Sequence, residues 1–223
     1  MMQAYAEGNA LFQRAYFKKH EAELLRLAKE GQNPKALFIG CSDSRVIPDL
    51  MIQSKPGDLF VMRNVGNFVP VYKPDEDFHA TATAIEYAVS ILKVSDIIIC
   101  GHTHCGACQA LYEDISDPSL IHTRKWLSLG VKAKENALAA LGPDEDREKL
   151  LRLTEQFSIL TQIENLLTYP YVNKLVKEEK LFIHGWYYDI ETGRIRYYDP
   201  EQKAFIPLSD LAKTCQLPDF EHL

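Results

Sequence analysis

Asp96-Ile97-Ile98-Ile99-Cys100-Gly101 is the stretch whose reading decides the fold. Three successive isoleucines are stiff at χ1 and favour extended backbone. The run is apolar without alternation, so both faces of the strand are covered, as in the middle of a parallel sheet. Ala36-Leu37-Phe38-Ile39-Gly40, between Pro34 and a polar loop, has the same character. Asp58-Leu59-Phe60-Val61-Met62-Arg63 reads as a further strand after the Pro56-Gly57 turn. Between these last strands and Asp96, the residues Phe78, Ala82, Ile85, Val89 and Leu92 mark one face of a helix.

Working outward, residues 9–30 predict a helix carrying Leu11, Ala15, Leu24, Leu25 and Ala28, with Gly31 as its stop. Helices are also expected near 121–141 and 144–168, the second with an apolar stripe of Leu153, Phe157, Leu160, Ile163 and Leu167. Pro170 opens another short helix. Residues 181–189 and 194–199 read as a hairpin about Glu191-Thr192-Gly193. The expected fold is α/β: a central, mostly parallel β-sheet flanked by helices, with a C-terminal β-hairpin. Residues 1–223 form a single domain, 1–33 being a helical arm and 34–223 the α/β core. The N-terminal helix is poorly attached to that core and is expected to extend to a partner subunit.

Composition narrows the function. The 223 residues suffice for a buried core. A formal charge of -6 and the lack of a basic block argue against a nucleic acid partner. No apolar run has the length of a membrane span, so no membrane partner is expected. The cysteines are Cys41, Cys100, Cys105, Cys108 and Cys215, an odd number with no apolar signal core near Met1. This excludes a disulfide framework and points to metal or catalytic cysteines in a reducing, cytoplasmic compartment.

Two strand ends carry the chemistry. The first apolar strand runs into Cys41-Ser42-Asp43-Ser44-Arg45, and the Asp96 strand runs into His102-Thr103-His104-Cys105-Gly106. Ligands of open α/β sheets bind outside the carboxyl ends of strands. If these strands are parallel neighbours, Cys41, His102 and Cys105 meet at one edge. Two thiolates and an imidazole form a soft, tetrahedral-compatible set that selects zinc (Zn2+) over calcium or magnesium. Three protein ligands leave a fourth position for water, the pattern of a catalytic rather than a structural site. Asp43 either takes that position as a conditional fourth ligand or accepts a bidentate hydrogen bond from Arg45. The two states exclude each other, which makes a pH switch.

These residues resemble the β-class carbonic anhydrases. The resemblance rests on Cys41-Ser42-Asp43-Ser44-Arg45, Arg63-Asn64-Val65-Gly66-Asn67 and Gly101-His102-Thr103-His104-Cys105-Gly106, in order and at family spacing. It extends from about Gln32 to the late hairpin. It implies a zinc lyase that hydrates carbon dioxide reversibly to bicarbonate and a proton, with zinc on Cys41, His102 and Cys105 and a catalytic dyad of Asp43 and Arg45. It also implies a homodimer or higher homo-oligomer, a tetramer being expected, with sites near subunit interfaces. Gln32, Phe60 and Tyr87 match positions that line the carbon dioxide pocket in the plant-like branch. Some bacterial members bind an inhibitory bicarbonate with a Trp at the position of Phe38; although Gly40, Arg63 and Tyr188 are present, that control is not expected here. Competing readings are a related zinc hydrolase, for example of carbon disulfide, and a non-catalytic zinc-stabilised scaffold.

Other features have plainer readings. Cys105-Gly106-Ala107-Cys108 spells a thioredoxin-like motif, but such sites need neither the Cys41 loop nor His102; Cys108 reads as a small buried residue and a reserve ligand. His104 reads as a locally hydrogen-bonded loop residue rather than a proton shuttle. His20, His79, His122, His184 and His222 have no partner visible in the sequence. Cys100 reads as core and Cys215 as an incidental thiol. Trp186-Tyr187-Tyr188 reads as hairpin packing or a subunit contact.

Overall fold

The computed structural model describes residues 2–75, 77, 79–143 and 146–212. Phe78, Asp144, Cys215 and His222, singled out above, lie outside the described residues. Along the chain come α1 (Met2–Phe12), α2 (Glu21–Glu30), β1 (Ala36–Cys41), α3 (Pro48–Ile52), β2 (Leu59–Asn64), α4 (Ala80–Glu86) and β3 (Asp96–His102). They are followed by α5 (Gly106–Ala110), α6 (Ile121–Leu127), α7 (Val131–Leu141), α8 (Arg147–Leu166), α9 (Pro170–Lys177), β4 (Phe182–Tyr188), β5 (Ile195–Asp199), β6 (Ala204–Pro207) and α10 (Ser209–Ala212).

The sheet has the order β2-β1-β3-β4-β5-β6. β2, β1, β3 and β4 are mutually parallel, and β5 and β6 add antiparallel strands. The apolar runs of β1 and β3 are buried almost throughout, as parallel strands covered on both faces must be. Alternate residues serve opposite faces: Leu37, Ile39, Ile97 and Ile99 join the larger core cluster, whereas Phe38, Ile98 and Cys100 join a second cluster with Trp186. Each fully buried Leu, Ile or Phe contributes about 1.5–3 kcal/mol. From β1 the chain goes to β2 on one side and later to β3 on the other. The carboxyl ends of β1 and β3 therefore flank the point where strand order reverses, the ligand crevice of such sheets.

Several expectations are corrected. The helix expected over 9–30 is α1, a π-helical turn at Gln13–Phe17, then α2. His20 leaves helical backbone, with Phe12 stacked on Tyr16 and Tyr16 tilted against His20 along the turn. The 121–141 segment is interrupted at Ser128–Gly130, where Gly130 packs against Phe68 and Leu111. The helix predicted by Ala82, Ile85, Val89 and Leu92 does pack into the core, but its last turn, Tyr87–Ile91, is π-helical. The hairpin is extended by β6, a short, half-exposed edge strand with Phe205 packed on the core, whose apolar run is only 4 residues long and ends at Pro207.

The stripe of α8 is only flanking. The fully buried face holds Thr154, Glu155, Ser158, Ile159, Thr161, Gln162 and Leu166, while Leu153, Phe157, Leu160, Ile163 and Leu167 are half-buried. The reason is that α8 serves loop backbones as well as the core. Gln162 Oε1 accepts from Val69 N at 2.7 Å, and Asn165 Nδ2 donates to Val69 O at 2.9 Å. Buried polar side chains are stable where they pair with main-chain groups that would otherwise be unsatisfied.

Close approach of α8 to the sheet depends on glycine. A Cβ added at Gly185 would lie 2.9 Å from Ile159 Cγ2 and 3.0 Å from Ile163 Cδ1. Ile159 is fully buried and has no room to retreat. Gly185→Ala is expected to cost ~1–3 kcal/mol of stability, the range for overpacked cores. A denaturant midpoint matching that of the natural chain would show that α8 can shift without cost.

Candidate metal centre

Three ligands meet in the crevice. Cys41 ends β1, His102 ends β3 and Cys105 caps α5. Cys41 Sγ, one His102 ring nitrogen and Cys105 Sγ all lie within 4.8 Å of one another, and the three residues are buried. Local structure holds each of them. His102 Nδ1 lies 2.8 Å from Thr103 O. A carbonyl can only accept, so Nδ1 carries the proton and Nε2 presents its lone pair. That Nε2 is buried and has no hydrogen-bond partner among the described residues. Gly66 N donates to Cys41 Sγ at 3.4 Å.

The electrostatics suit a cation. The neighbouring Cys105 thiol, and then burial, push the Cys41 thiol up to about 12. Cys105 is raised well above its ordinary value, first by its hydrogen-bonded neighbour Cys108. Clustered thiols cannot ionise together without positive charge beside them. An orphaned imidazole lone pair and two thiols that need a cation to ionise form a donor set that fits a soft divalent metal. Asp43, Arg45 and Cys108 are not part of the group of three.

Asp43 is held by Arg45. Arg45 Nε donates to Oδ1 at 2.9 Å, Nη2 donates to Oδ2 at 2.7 Å, and the Arg45 backbone N–H also reaches Oδ1 at 3.0 Å. These contacts hold the Asp43 carboxyl well below the usual carboxylate range. Of the two arrangements open in the sequence, this geometry is the paired one. Arg45 Nη2 also donates to His104 O at 3.1 Å, which ties the Cys41 loop to the His102 loop.

Two further residues build the site. Arg63 donates from Nε to Cys41 O at 2.9 Å and from Nη2 to Asp43 O at 2.7 Å, clamping the loop from β2. In the sequence it was only part of a motif. Glu155 on α8 was missed. It accepts from Cys105 N at 3.1 Å and from Tyr187 Oη at 2.6 Å, with Arg152 Nη2 3.1 Å away. An acidic residue four before Ile159 on a buried helix face is the only local signal it offered.

Gln32, Phe60 and Tyr87 lie elsewhere in this chain. Phe60 pairs in register with Leu37, four residues before Cys41, or about 13 Å along the strand. Phe60 and Tyr87 stack with ring centroids 5.7 Å apart, and Tyr87 is exposed. Gln32 is exposed, before the amino end of β1, in a groove with Leu24, Leu27, Gly57 and Leu59. The structure thus brings Phe60 and Tyr87 together and Cys41, His102 and Cys105 together, but leaves the two sets apart within one chain.

His79, His104 and His184 find local partners. His104 Nε2 lies 3.6 Å from Glu191, His79 pairs with Asp75 and His184 with Asp96. The last two partners were not visible in the sequence. Phe38 is fully buried with Trp186 edge-on at 6.4 Å, and Tyr187 is fully buried, so these members of the aromatic cluster pack within the chain.

The fold and site together define a two-thiolate, one-imidazole metal centre at the switch point of an α/β sheet. The family model for carbonic anhydrase matches residues 36–195. A carbonic anhydrase of Pseudomonas aeruginosa is 37% identical over 211 residues, covering 94% of this chain and 93% of that one. Carbonic anhydrase 1 of Escherichia coli O157:H7 is 38% identical, covering 97% of each. Among solved structures, the β-carbonic anhydrase CcaA superposes with a TM-score of 0.85 at 37% identity, covering 92% of this chain and 91% of that one. A tetrameric β-carbonic anhydrase of Sordaria macrospora superposes with a TM-score of 0.77 at 30% identity, covering 88% and 95%. The chain belongs to the β-carbonic anhydrase family.

Proposed function

We propose that the chain catalyses the reversible hydration of carbon dioxide to bicarbonate and a proton, with zinc held by Cys41 Sγ, His102 Nε2 and Cys105 Sγ. The observation that carries this reading is the convergence of those three atoms, beside a bidentate Asp43–Arg45 pair, in a chain of this family. When bound, zinc supplies Lewis acidity and lowers the pKa of water in the open position to about 7, a value taken from carbonic anhydrases and metalloproteases in general.

The chain's own residues position and orient. Arg63 holds the Cys41 and Asp43 carbonyls, Glu155 holds the Cys105 amide, and Thr103 O fixes the His102 tautomer. Asp43, gripped by Arg45 at three points, keeps a free lone pair on Oδ2 with which to accept a hydrogen bond from water and aim that water's oxygen at the carbon of carbon dioxide. Asp43 becomes a fourth ligand only if Arg45 releases it. Gln32, Phe60 and Tyr87 serve the pocket: apolar rings suit a gas without hydrogen-bond donors, and one amide suits the anionic product. Their distance from the metal ligands of their own chain supports a pocket completed between subunits.

A homodimer or higher homo-oligomer is part of the reading, with a tetramer as its finer form. No residue of α1 or α2 is buried, and Met2, Tyr5, Leu11, Phe12, Tyr16 and Leu25 are exposed. Large apolar residues clustered on the surface mark an interface. Removing residues 1–30 is expected to lower the number of subunits per assembly in sedimentation; an unchanged subunit number would take the arm out of the interface. A cytoplasmic location belongs to the same reading, supported by free thiols at Cys41, Cys100, Cys105 and Cys108. Among the described residues no helix is long and apolar enough to cross a membrane.

The deciding experiment is zinc content measured together with carbon dioxide hydration across pH. Zinc-loaded protein inert at every pH would overturn the enzyme reading. Turnover of carbon disulfide in place of carbon dioxide would favour the related hydrolase.

A further inference from the structure

Of the motif Cys105-Gly106-Ala107-Cys108, the metal centre uses Cys105 and leaves Cys108 unused. Cys105 is the N-cap of α5 and Cys108 lies one turn further on, so the two side chains share a face. Both are buried, at 3% and 2% exposure, and pack in the same cluster with Cys41 and Phe68. Positions three apart on a helical turn have α-carbons about 5 Å apart, inside the range a disulfide spans. Cys108 nevertheless falls outside the group of three ligand atoms. Cys105 thus has a metal-facing partner in Cys41 and a second thiol partner in Cys108. Of the two disulfides open to Cys105, the one with Cys108 closes the shorter loop and so loses less chain entropy.

We propose that Cys105 and Cys108 are a redox pair, and that closing their disulfide withdraws Cys105 from the metal and releases it. The oxidant is of the peroxide class. The Cys105 thiolate attacks one oxygen of hydrogen peroxide, the O–O bond breaks, and hydroxide leaves a sulfenic acid on Cys105. The Cys108 sulfur then attacks that sulfur, and the S–O bond breaks. The departing oxygen leaves as water with the Cys108 proton. The two thiols lose two electrons and the peroxide gains them. This regulation rests on the zinc reading of the site.

The test uses the reduced, zinc-loaded full chain titrated with hydrogen peroxide. Zinc release is followed with a chromogenic chelator, and intact mass and peptide maps are taken without reductant. The expected result is zinc loss in step with loss of two hydrogens, mapped to Cys105–Cys108, and recovery of zinc binding after dithiothreitol. In Cys108→Ser and Cys108→Ala, excess peroxide is expected to carry Cys105 to sulfinic acid, after which dithiothreitol no longer restores zinc binding. A wild-type disulfide mapping to Cys41–Cys105, or zinc loss without a Cys105–Cys108 disulfide, overturns the redox pair and leaves the zinc reading standing. Reduced protein that takes up no zinc overturns both. The wild-type map decides the matter even if neither variant folds.

Discussion

His102→Ala is expected to strip the protein of zinc and reduce carbon dioxide hydration to the buffer background. Only two thiol ligands remain once Nε2 is gone, and no other imidazole belongs to the group of ligand atoms. The loss exceeds the ~10–100-fold typical of removing a residue behind a metal ligand, because a ligand itself is removed. Its size follows from the chemistry supplied: bulk water titrates at about 15.7, against about 7 on zinc, so neutral solution offers almost no hydroxide without the ion. Circular dichroism separates this from unfolding. A folded variant that retains zinc and the wild-type rate would remove His102 from the site.

Asp43→Asn is expected to lower kcat/KM by ~10²-fold or more, the scale of losing one preorganised hydrogen bond to the reacting atoms. The amide presents one acceptor oxygen where the carboxylate presents two, so the two-point grip of Arg45 through Nε and Nη2 is broken. The sign of the pH dependence follows from the lowered carboxyl. A depressed acid contributes stability that is present above its unfolded value of about 3.9 and is lost as pH falls through its lower folded value. Part of the pair is exposed to solvent, which keeps that stability contribution small. While paired, Asp43 therefore stays ionised through the neutral range, and the switch read in the sequence moves to acid pH. Rates of wild type and variant measured side by side across pH check this. A wild-type rate and profile for Asp43→Asn would take the residue out of the reaction.

Much of the site was legible because its signals are local. Cys41 and His102 each end an apolar strand, with Cys105 three residues on, and residue type alone argues for zinc. Glu155 was hidden because its role lies in a bond to the Cys105 amide, 50 residues away in the chain. The buried face of α8 was misjudged for the same reason: Gln162 and Asn165 are inside because Val69 needs partners, and no periodicity records that need. β6 escaped because its apolar run is only 4 residues long and ends in Pro207, a residue that in a sequence argues against a strand.

The sequence by itself determined the parallel strands, the ligand types and the family, since β-branched runs, strand ends and ligand spacing are properties of short stretches. Tertiary structure alone decided that Asp43 sits on Arg45, that Arg63 and Glu155 brace the ligand loops, and that Phe60 and Tyr87 stand away from their own chain's metal ligands. Those outcomes depend on which hydrogen-bond donors and acceptors lose water together. That is settled only when distant segments of the chain pack against one another.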